Sequence, residues 1–492
     1  MTIPMFIDTH SHLTFPDYDK EREDIIKRAF EAGLEYIINI GSGAGLEDNF
    51  KSLELAKKND NIFSTIGFHP HDAGNMLRAN PSQTDESRSS RPCSNNKLGD
   101  SLELIEKLAE DPKVVAVGEI GLDYHYISKE KDHEKLKKDQ IECFCAQIAL
   151  ANKLRLPVII HDREAHDDTV FTLRKNRAAN WGGVMHCFSG STVLAKRVLD
   201  LGYYISVTGA VTFKKKSEEL QAVVKYVPVE KLLIETDCPF IAPEPYRGKR
   251  NEPAYVVEVA KKIAGIKKLS LEDVGRITSL NAKKLFHLKG EIPDAKIVYP
   301  IRNSLYLNIT NKCTLACTFC PKRNATFEVK GHNLKLSREP DIEDIFRAMG
   351  DPKGFEEVVF CGFGEPTQRF EILKVIAKRL KEDGIKVRLN TDGLANLIHQ
   401  RNVLPELKGL VDSISVSLNA HNADVYSKIC PSKYKAEAFK EVCDFIKEAK
   451  RYIPSVTATV VTCPEVDVEV AKDLAEKELG VTLCVREYQD VG

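Results

Sequence analysis

Eight short apolar runs, each closed by a polar turn and followed by a stretch of helical period, constrain the first 290 residues more than any other feature. They begin at Met5 (MFIDTH), Tyr36 (YIINIG), Ile62 (IFSTIGFHP), Val114 (VVAVGEIGLD), Pro157 (PVIIHD), Gly183 (GVMHCF), Tyr203 (YYISVTGA) and Leu232 (LLIETD). Runs this short and this apolar suit parallel strands buried on both faces. The segments between them are amphipathic. In one, Ile141, Phe144, Cys145 and Ile148 fall at i, i+3, i+4 and i+7 and so share a helix face. Eight strands, each followed by a helix, predict an α/β fold of the (β/α)8 TIM-barrel type over residues 1–290.

Residues 75–98 break the pattern, being rich in Ser, Asn, Pro and charge with almost no apolar periodicity. Such a segment cannot bury enough surface to offset its ordering entropy. It is expected as a disordered insertion after the third strand, a tolerated loop rather than a working lid. The last helix of the first half is predicted to end near Leu288-Lys289-Gly290, and residues 291–302, with two prolines, read as a connector. A second series of strands then begins at Leu305 (LYLNIT), Glu357 (EVVFCGFG), Lys386 (KVRLNTDG), Ser413 (SISVSLN), Val456 (VTATVV) and Thr482 (TLCVREY). Six strands with helices between them predict a partial, open barrel over residues 303–492.

Composition excludes several classes. With 71 basic and 72 acidic residues the formal net charge is −1, which lacks the cationic excess of proteins that grip duplex DNA without regard to sequence. A nucleic-acid substrate stays possible if metals and a few arginines handle the phosphates. No apolar run approaches the ~18 residues of a membrane span. The first residues lack a basic segment followed by an apolar one, so a cytoplasmic protein is expected. Thirteen cysteines, an odd number, argue against a disulfide framework and leave core packing or metal to explain them.

Histidines and carboxylates recur where the strands of the first half end. Asp8-Thr9-His10-Ser11-His12 closes the first strand, and residues i and i+2 of an extended segment face the same way, so His10 and His12 can grip one ion. Glu119, His161, His186 and Asp237 close strands four, five, six and eight. All six converge on the carboxyl-terminal rim in such a barrel. Imidazole and carboxylate suit Zn, Mn or Mg, and six donors exceed the need of one tetrahedral ion. Two divalent ions, with Glu119 placed to bridge them, fit this donor count.

The segments GFHPHD, VGEIGLDYH, IIHDREA, HCFSGS, IETDCPF and PYRGKRNEP, in that order, resemble the TatD family of metal-dependent deoxyribonucleases. The resemblance implies a two-metal hydrolase of phosphodiester bonds in which His10, His12, Glu119, His161, His186 and Asp237 are metal ligands. Asp237 then doubles as the base that orients the attacking water. Arg163, Arg247 and Arg250 are candidates for substrate phosphates, since a planar guanidinium matches their geometry. His69 and His71 either line the same mouth or belong to a hydrogen-bonded loop.

The second half opens with Cys313-Thr-Leu-Ala-Cys317-Thr-Phe-Cys320 after its first strand. Three thiolates at this spacing can hold three corners of a four-iron cluster and leave the fourth iron open. Zinc would recruit a fourth ligand, and no His or Cys follows until His332. The loop resembles the signature of radical S-adenosylmethionine (SAM) enzymes, including Phe319 before the third cysteine. Their usual fold is a partial (βα)6 barrel. That resemblance implies a [4Fe-4S] cluster on Cys313, Cys317 and Cys320. It places the SAM amino group at Gly364 and Glu365, within Cys361-Gly-Phe-Gly-Glu-Pro-Thr367, although Phe363 stands where the first of two paired glycines is usual. Asn390, Ser417 and Asn419, at later strand ends, are weaker candidates for the nucleoside. Cys361, Cys430, Cys443, Cys463 and Cys484 match no compact cluster and are expected as packed thiols.

The order of parts resembles TatD-type nucleases fused to, or encoded beside, a small radical SAM protein of unassigned substrate. A bifunctional enzyme is therefore expected, a DNA phosphodiester hydrolase joined to a radical SAM enzyme served by a low-potential flavodoxin- or ferredoxin-type donor. Two alternatives stay open for the first half. It could hydrolyse another ester, such as that of aminoacyl-tRNA, or it could only bind nucleic acid for its neighbour. The substrate of the radical half and the oligomeric state are not legible.

Overall fold

The computed structural model describes residues 6–43, 45–77, 97–127, 130, 132–176, 178–288, 295–324, 327–435 and 437–487. The chain divides into two compact units, Met1–Gly290 and Glu291–Gly492. No described helix is long and apolar enough to cross a membrane. The described cysteines are all free.

In the first unit eight parallel strands lie side by side in chain order. They are β1 (Phe6–Ser11), β2 (Leu34–Asn39), β3 (Ile62–Ile66), β4 (Val114–Asp123), β5 (Val158–Arg163), β6 (Gly183–Met185), β7 (Tyr204–Val207) and β8 (Leu232–Ile234). Every expected run forms a strand, and both faces are buried. Ile7, Ile38, Val115, Ile159, Val184 and Leu233 pack together with Leu285, Phe286 and Leu288 at the end of the last helix. Their neighbours Phe6, Ile37, Val114, Val158 and Ile160 pack into a larger core with the surrounding helices. In the helix His133–Leu154, Phe144 and Ile148 are fully buried while Ile141 and Cys145 are half-buried. This is the face read from their spacing.

Among the described residues no ladder joins β8 to β1; the barrel closes between the end of β1 and the residues just past β8. Ser11 pairs with Cys238 in a single parallel bridge. The His12 N–H donates to the Cys238 carbonyl and the Asp237 N–H to the His10 carbonyl, both at 2.9 Å. Below them the Thr236 N–H and hydroxyl donate to the Asp8 carboxylate at 2.9 and 2.5 Å. Burial pushes the Asp8 carboxyl up to about 8 even against these bonds.

The expected insertion is shorter than residues 75–98. Asn75–Leu77 ends the helix Ala73–Leu77, and Lys97 opens the helix Lys97–Leu108. Met76 and Leu98 are buried in the main core, too few apolar residues for a periodic pattern and recruited only by tertiary packing. Residues 78–96 lie outside the described residues.

In the second unit the ladder order is β9 (Val298–Ile301), β10 (Ser304–Leu307), β13 (Glu357–Phe360), β14 (Val387–Thr391), β15 (Ser413–Ser417), β16 (Ser455–Val461) and β17 (Thr482–Arg486), with β11 (Glu328–Val329) and β12 (His332–Asn333) forming a separate ribbon. The six expected strands, β10 and β13–β17, run parallel. The stretch read as a connector contributes β9, which pairs antiparallel with β10. Tyr299 and Ile301 of β9 pack with Val329, Leu334 and Phe363, so apolar burial turns four of those residues into an edge strand.

One side chain ties the helical layer to the rim of the first barrel. Gln147 accepts from the Phe68 N–H at 2.7 Å and donates to the Phe68 carbonyl at 3.0 Å, just before His69. Gln147→Leu keeps the volume but leaves both groups buried and unpaired, which is expected to cost about 2–4 kcal/mol. Urea denaturation of the full chain measures this, and an unchanged midpoint would dismiss the clamp.

Candidate functional site

The six donors named for the first half come together at the carboxyl-terminal rim. His10 lies within β1 and His12 one residue past it; His161 lies within β5 and His186 one past β6. Three positions differ from the sequence reading. His161 does not end its strand, because β5 runs on to Arg163. Glu119 does not end its strand, because β4 runs on to Asp123, and the β4–β5 register shifts between Gly118 and Ile120, around Glu119. Such an irregularity re-aims one side chain without ending the strand. Asp237 sits three residues beyond β8 in a left-handed conformation (φ 54°). Close approach of β4 and β5 requires Gly121, whose Cβ would lie 2.0 Å from the His161 carbonyl oxygen.

Glu119 is the hub. Its Oε1 is 2.5 Å from His161 Nδ1, 2.8 Å from His186 Nε2 and 3.5 Å from His69 Nε2. Its Oε2 is 3.4 Å from His10 Nε2 and 3.9 Å from His12 Nε2. Asp237 Oδ1 faces the same two nitrogens at 3.6 and 3.5 Å, and these are themselves 3.3 Å apart. The Ser42 hydroxyl accepts from the Glu119 N–H at 2.8 Å and fixes the backbone of the hub.

Burial alone would raise the Glu119 carboxyl, but His186, His69, His10 and His161 outweigh it and hold the group well below the ordinary carboxylate range. Burial opposes charge on His186 and His161 too, yet the carboxylates beside them, Glu119 and Glu235 at the first and Asp123 and Glu119 at the second, raise both. Burial lowers His69 to about 4. Imidazole nitrogens converging on carboxylate oxygens are a donor set for a cation. Three groups, His10 with His12 and Asp237, His10 with His186 and Glu235, and His69 with Glu119 and His161, each bring one ligand atom per residue within 4.8 Å of the others. The residues present therefore fit divalent metal.

Three contributors were not read from the sequence. Asp123 Oδ2 is 3.1 Å from both His161 Nε2 and His71 Nε2, so it orients both rings. Glu235 Oε1 lies 3.4 Å from His186 Nδ1 and accepts from the Cys187 N–H at 2.5 Å. Ser42 is the third. Asp123 stands within VGEIGLDYH and Glu235 within IETDCPF, where their spacings from Glu119 and Asp237 were the available signal; Ser42 carried none. The FHPH segment divides its roles, with His69 in the donor cluster and His71 on Asp123.

The arginines differ in what holds them. Arg163 stacks on Tyr126 at 5.1 Å, and Arg247 lies 3.6 Å from the Phe213 ring centroid. Arg250 is engaged by the Glu21 carboxylate and the Asp17 carbonyl, both at 2.5 Å. Two aromatic rings stay open to solvent near the donors, Phe240 (50 % exposed) and Tyr126 (56 %). Phe240 packs on Phe15 and His12, and Tyr126 on His71.

In the second unit the loop bearing Cys313, Cys317 and Cys320 follows β10, with all three thiols half-buried. It is pinned to residues 429–431 by bonds from the Ala316 N–H to the Pro431 carbonyl and from the Thr318 N–H to the Ile429 carbonyl, at 2.9 and 2.8 Å. The neighbouring Cys430 thiol and burial push Cys317 up, and burial pushes Cys313 up. Gly364 packs where a Cβ would meet the Thr310 and Lys312 carbonyl oxygens at 2.2 and 2.7 Å, so only glycine brings Glu365 against this loop.

Glu365 is buried. Its Oε1 accepts from the Thr367 N–H and hydroxyl and the Thr391 hydroxyl at 2.9, 2.6 and 2.9 Å, and its Oε2 accepts from the Asp392 N–H at 2.7 Å. Burial and the Glu365 charge beside it push the Asp392 carboxyl well up, and that side chain also hydrogen-bonds Glu365. Asn419 donates to the Cys430 sulfur at 3.5 Å, Ser417 is half-buried at the end of β15, and the Asn390 Oδ1 is buried without a partner.

An eight-stranded parallel barrel whose histidines and carboxylates meet at the carboxyl ends of its strands has the architecture of a metal-dependent hydrolase. The family of TatD-related DNases matches residues 7–287 and the Radical SAM superfamily residues 307–477. The chain belongs to the TatD-related DNase family and carries a radical SAM domain after it. It is 41% identical over 286 residues to the uncharacterized metal-dependent hydrolase YabD of Bacillus subtilis, covering 58% of this chain and 100% of that protein. The 3'-5' ssDNA/RNA exonuclease TatD of Salmonella typhimurium is 31% identical over 57% of this chain and 98% of its own length. A crystal structure of YJJV, a TatD homolog from Escherichia coli K12, shares 30% identity over 58% of this chain and 100% of that one, with a TM-score of 0.49.

Asp123 gives a direct test of how the imidazoles are held. Asp123→Asn is expected to weaken Mn or Zn binding by about 10- to 100-fold, the usual effect of removing a carboxylate that orients a histidine ligand. Titration calorimetry on the full chain reads it, and an unchanged affinity would show that the ring orientation does not depend on Asp123.

Proposed function

We propose that the first barrel hydrolyses phosphodiester bonds of single-stranded DNA with two divalent ions (Mg, Mn or Zn), and that the second domain cleaves SAM reductively with a [4Fe-4S] cluster. The observation that carries the first part is the division of Glu119: Oε2 faces His10 and His12, while Oε1 faces His161, His186 and His69. That division suits a bridging carboxylate, with His10, His12 and Asp237 on one ion and His161 and His186 on the other. Bound there, the ions would make water a nucleophile at neutral pH and neutralise the phosphate.

The chain's own residues supply the rest. The left-handed backbone at Asp237 and its bond to the His10 carbonyl fix the carboxylate beside the two histidines, where it accepts the proton of an attacking water. Arg163 and Arg247 present guanidinium groups to the phosphates; Arg250, already paired with Glu21, contributes less. Phe240 offers an exposed ring on which an unpaired base stacks. This supports a single-stranded substrate, as does the name of the Salmonella relative.

In the second domain Cys313, Cys317 and Cys320 would hold the cluster and Gly364 and the Glu365 carboxylate would take the SAM amino group, with Asn390, Ser417 and Asn419 beside the nucleoside. The cluster, reduced by a low-potential flavodoxin- or ferredoxin-type donor, would supply the electron that splits SAM into methionine and a 5′-deoxyadenosyl radical.

Two measurements check this reading. The full chain should release nucleotides from end-labelled single-stranded DNA with Mg or Mn, and Asp237→Asn should lower kcat by about 100-fold or more, the usual range for a lost general base. Binding without cleavage by the wild type would sink the hydrolytic reading. Separately, anaerobic reconstitution should give a protein that forms 5′-deoxyadenosine from SAM under dithionite. Replacing the three cysteines by Ala should abolish that without affecting nucleotide release.

A further inference from the structure

The cysteine loop of the second unit is paired with a segment from far along the chain. Leu315 bridges Ser432 in the antiparallel sense, the Ala316 N–H donates to the Pro431 carbonyl at 2.9 Å, and the Thr318 N–H to the Ile429 carbonyl at 2.8 Å. All three pairings share one register, and that register sets Cys317 directly opposite Cys430. The pairs on either side carry the hydrogen bonds. Cys317 and Cys430 therefore hold a non-hydrogen-bonded position, where Cα atoms stand about 4.5 Å apart and side chains lie closest. Pro431 has no N–H to return to Ala316, so the pairing is one-sided here and ends quickly. A disulfide accepts Cα separations of about 4.4–6.8 Å, so this backbone can take one with little movement.

The two thiols differ in access. Cys317 is half-buried, while Cys430 is fully buried. Cys430 follows the helix Ala423–Ile429, and its N–H donates to the Tyr426 carbonyl at 2.7 Å. The Asn419 amide donates to its sulfur at 3.5 Å, and the Cys317 thiol lies against it. A reachable thiol backed by a buried second one is the arrangement of a cysteine that is oxidised and then resolved. Cys430 matched no cluster spacing in the sequence, and no role given above uses it.

We propose that Cys317 and Cys430 are a redox pair, joined by a disulfide when the loop carries no cluster and hydrogen peroxide is present. Peroxide oxidises the Cys317 sulfur to a sulfenic acid and leaves as water. The Cys430 thiol then attacks that sulfur, the S–S bond forms, and the sulfenic oxygen departs as a second water with the Cys430 proton. Two thiols thus give two electrons to one peroxide. Burial and the neighbouring thiol keep Cys317 protonated, so closure needs sustained peroxide rather than a brief pulse. Once closed, the bond withholds Cys317 from iron and guards it from irreversible oxidation, and thiol exchange reopens it. The consequence for iron rests on the reading of Cys313, Cys317 and Cys320 as cluster ligands; the disulfide does not.

Non-reducing peptide mass spectrometry of the cluster-free full chain, before and after hydrogen peroxide, tests the pair. The treated wild type should yield a peptide joining Cys317 to Cys430, which dithiothreitol splits. A Cys317 that bonds instead to Cys313, Cys320 or Cys463, or goes unpaired to sulfinic acid, overturns the proposal. This map decides without a variant, so it stands even if Cys430→Ala, which should send Cys317 on to sulfinic acid, does not fold. Anaerobic reconstitution with iron and sulfide, without added thiol, reads the consequence. The oxidised chain should lose most of the iron uptake of the reduced chain and regain it once dithiothreitol has been applied and removed. A joined peptide with undiminished iron uptake overturns the withholding and speaks against Cys317 as a ligand. A reduced chain that takes up no iron refutes the cluster reading alone, and the peptide map still decides the pair.

Discussion

The first barrel depends on a seam. Among the described residues no ladder joins its last strand to its first, and closure is left to the end of β1 and the residues just past β8, where Ser11 bridges Cys238 and backbone bonds join His12 to Cys238 and Asp237 to His10. The same bonds that close the barrel therefore set the distance between Asp237 and the two histidines of β1. Asp8 and Thr236 brace the seam from below, buried and mutually satisfied. Structural closure and the donor cluster share one set of hydrogen bonds, so the rim cannot loosen without the fold loosening with it.

On the far side of the cluster a comparable economy holds β4 to β5. Gly121 lets the strands approach closely, the register shift re-aims Glu119 inward, and Asp123 on the same strand holds His161 from its other nitrogen. One strand thus supplies the central carboxylate and the residue that orients its nearest imidazole. In the radical domain Gly364 performs the corresponding service, letting Glu365 reach the start of the cysteine loop. Phe363, unusual at its position, is covered by Tyr299 and Ile301 of the antiparallel edge strand β9. A bulky residue beside the cysteine loop is tolerated because that extra strand buries it.

What the sequence by itself determined was periodic or local. The eight and six βα repeats follow from apolar runs too short for helices, and the pair His10 and His12 follows from the two-residue period of a strand. The cysteine loop is legible because its three donors are near neighbours in the chain. The order of motifs further sufficed to identify the family of each half. These features need no knowledge of distant contacts.

Tertiary structure alone decided the rest, because it concerned residues brought together from far apart. The reach of β4 past Glu119, the pairing of β9 with β10, and the burial of Met76 and Leu98 all depend on partners that local pattern does not specify. Glu235 is one carboxylate among many until it stands 3.4 Å from His186. Arg250 looked as free as Arg163 and Arg247 until Glu21, more than two hundred residues away in the chain, was found beside it. A side chain's partner fixes its protonation and the direction it points, and only the closed barrel chooses that partner.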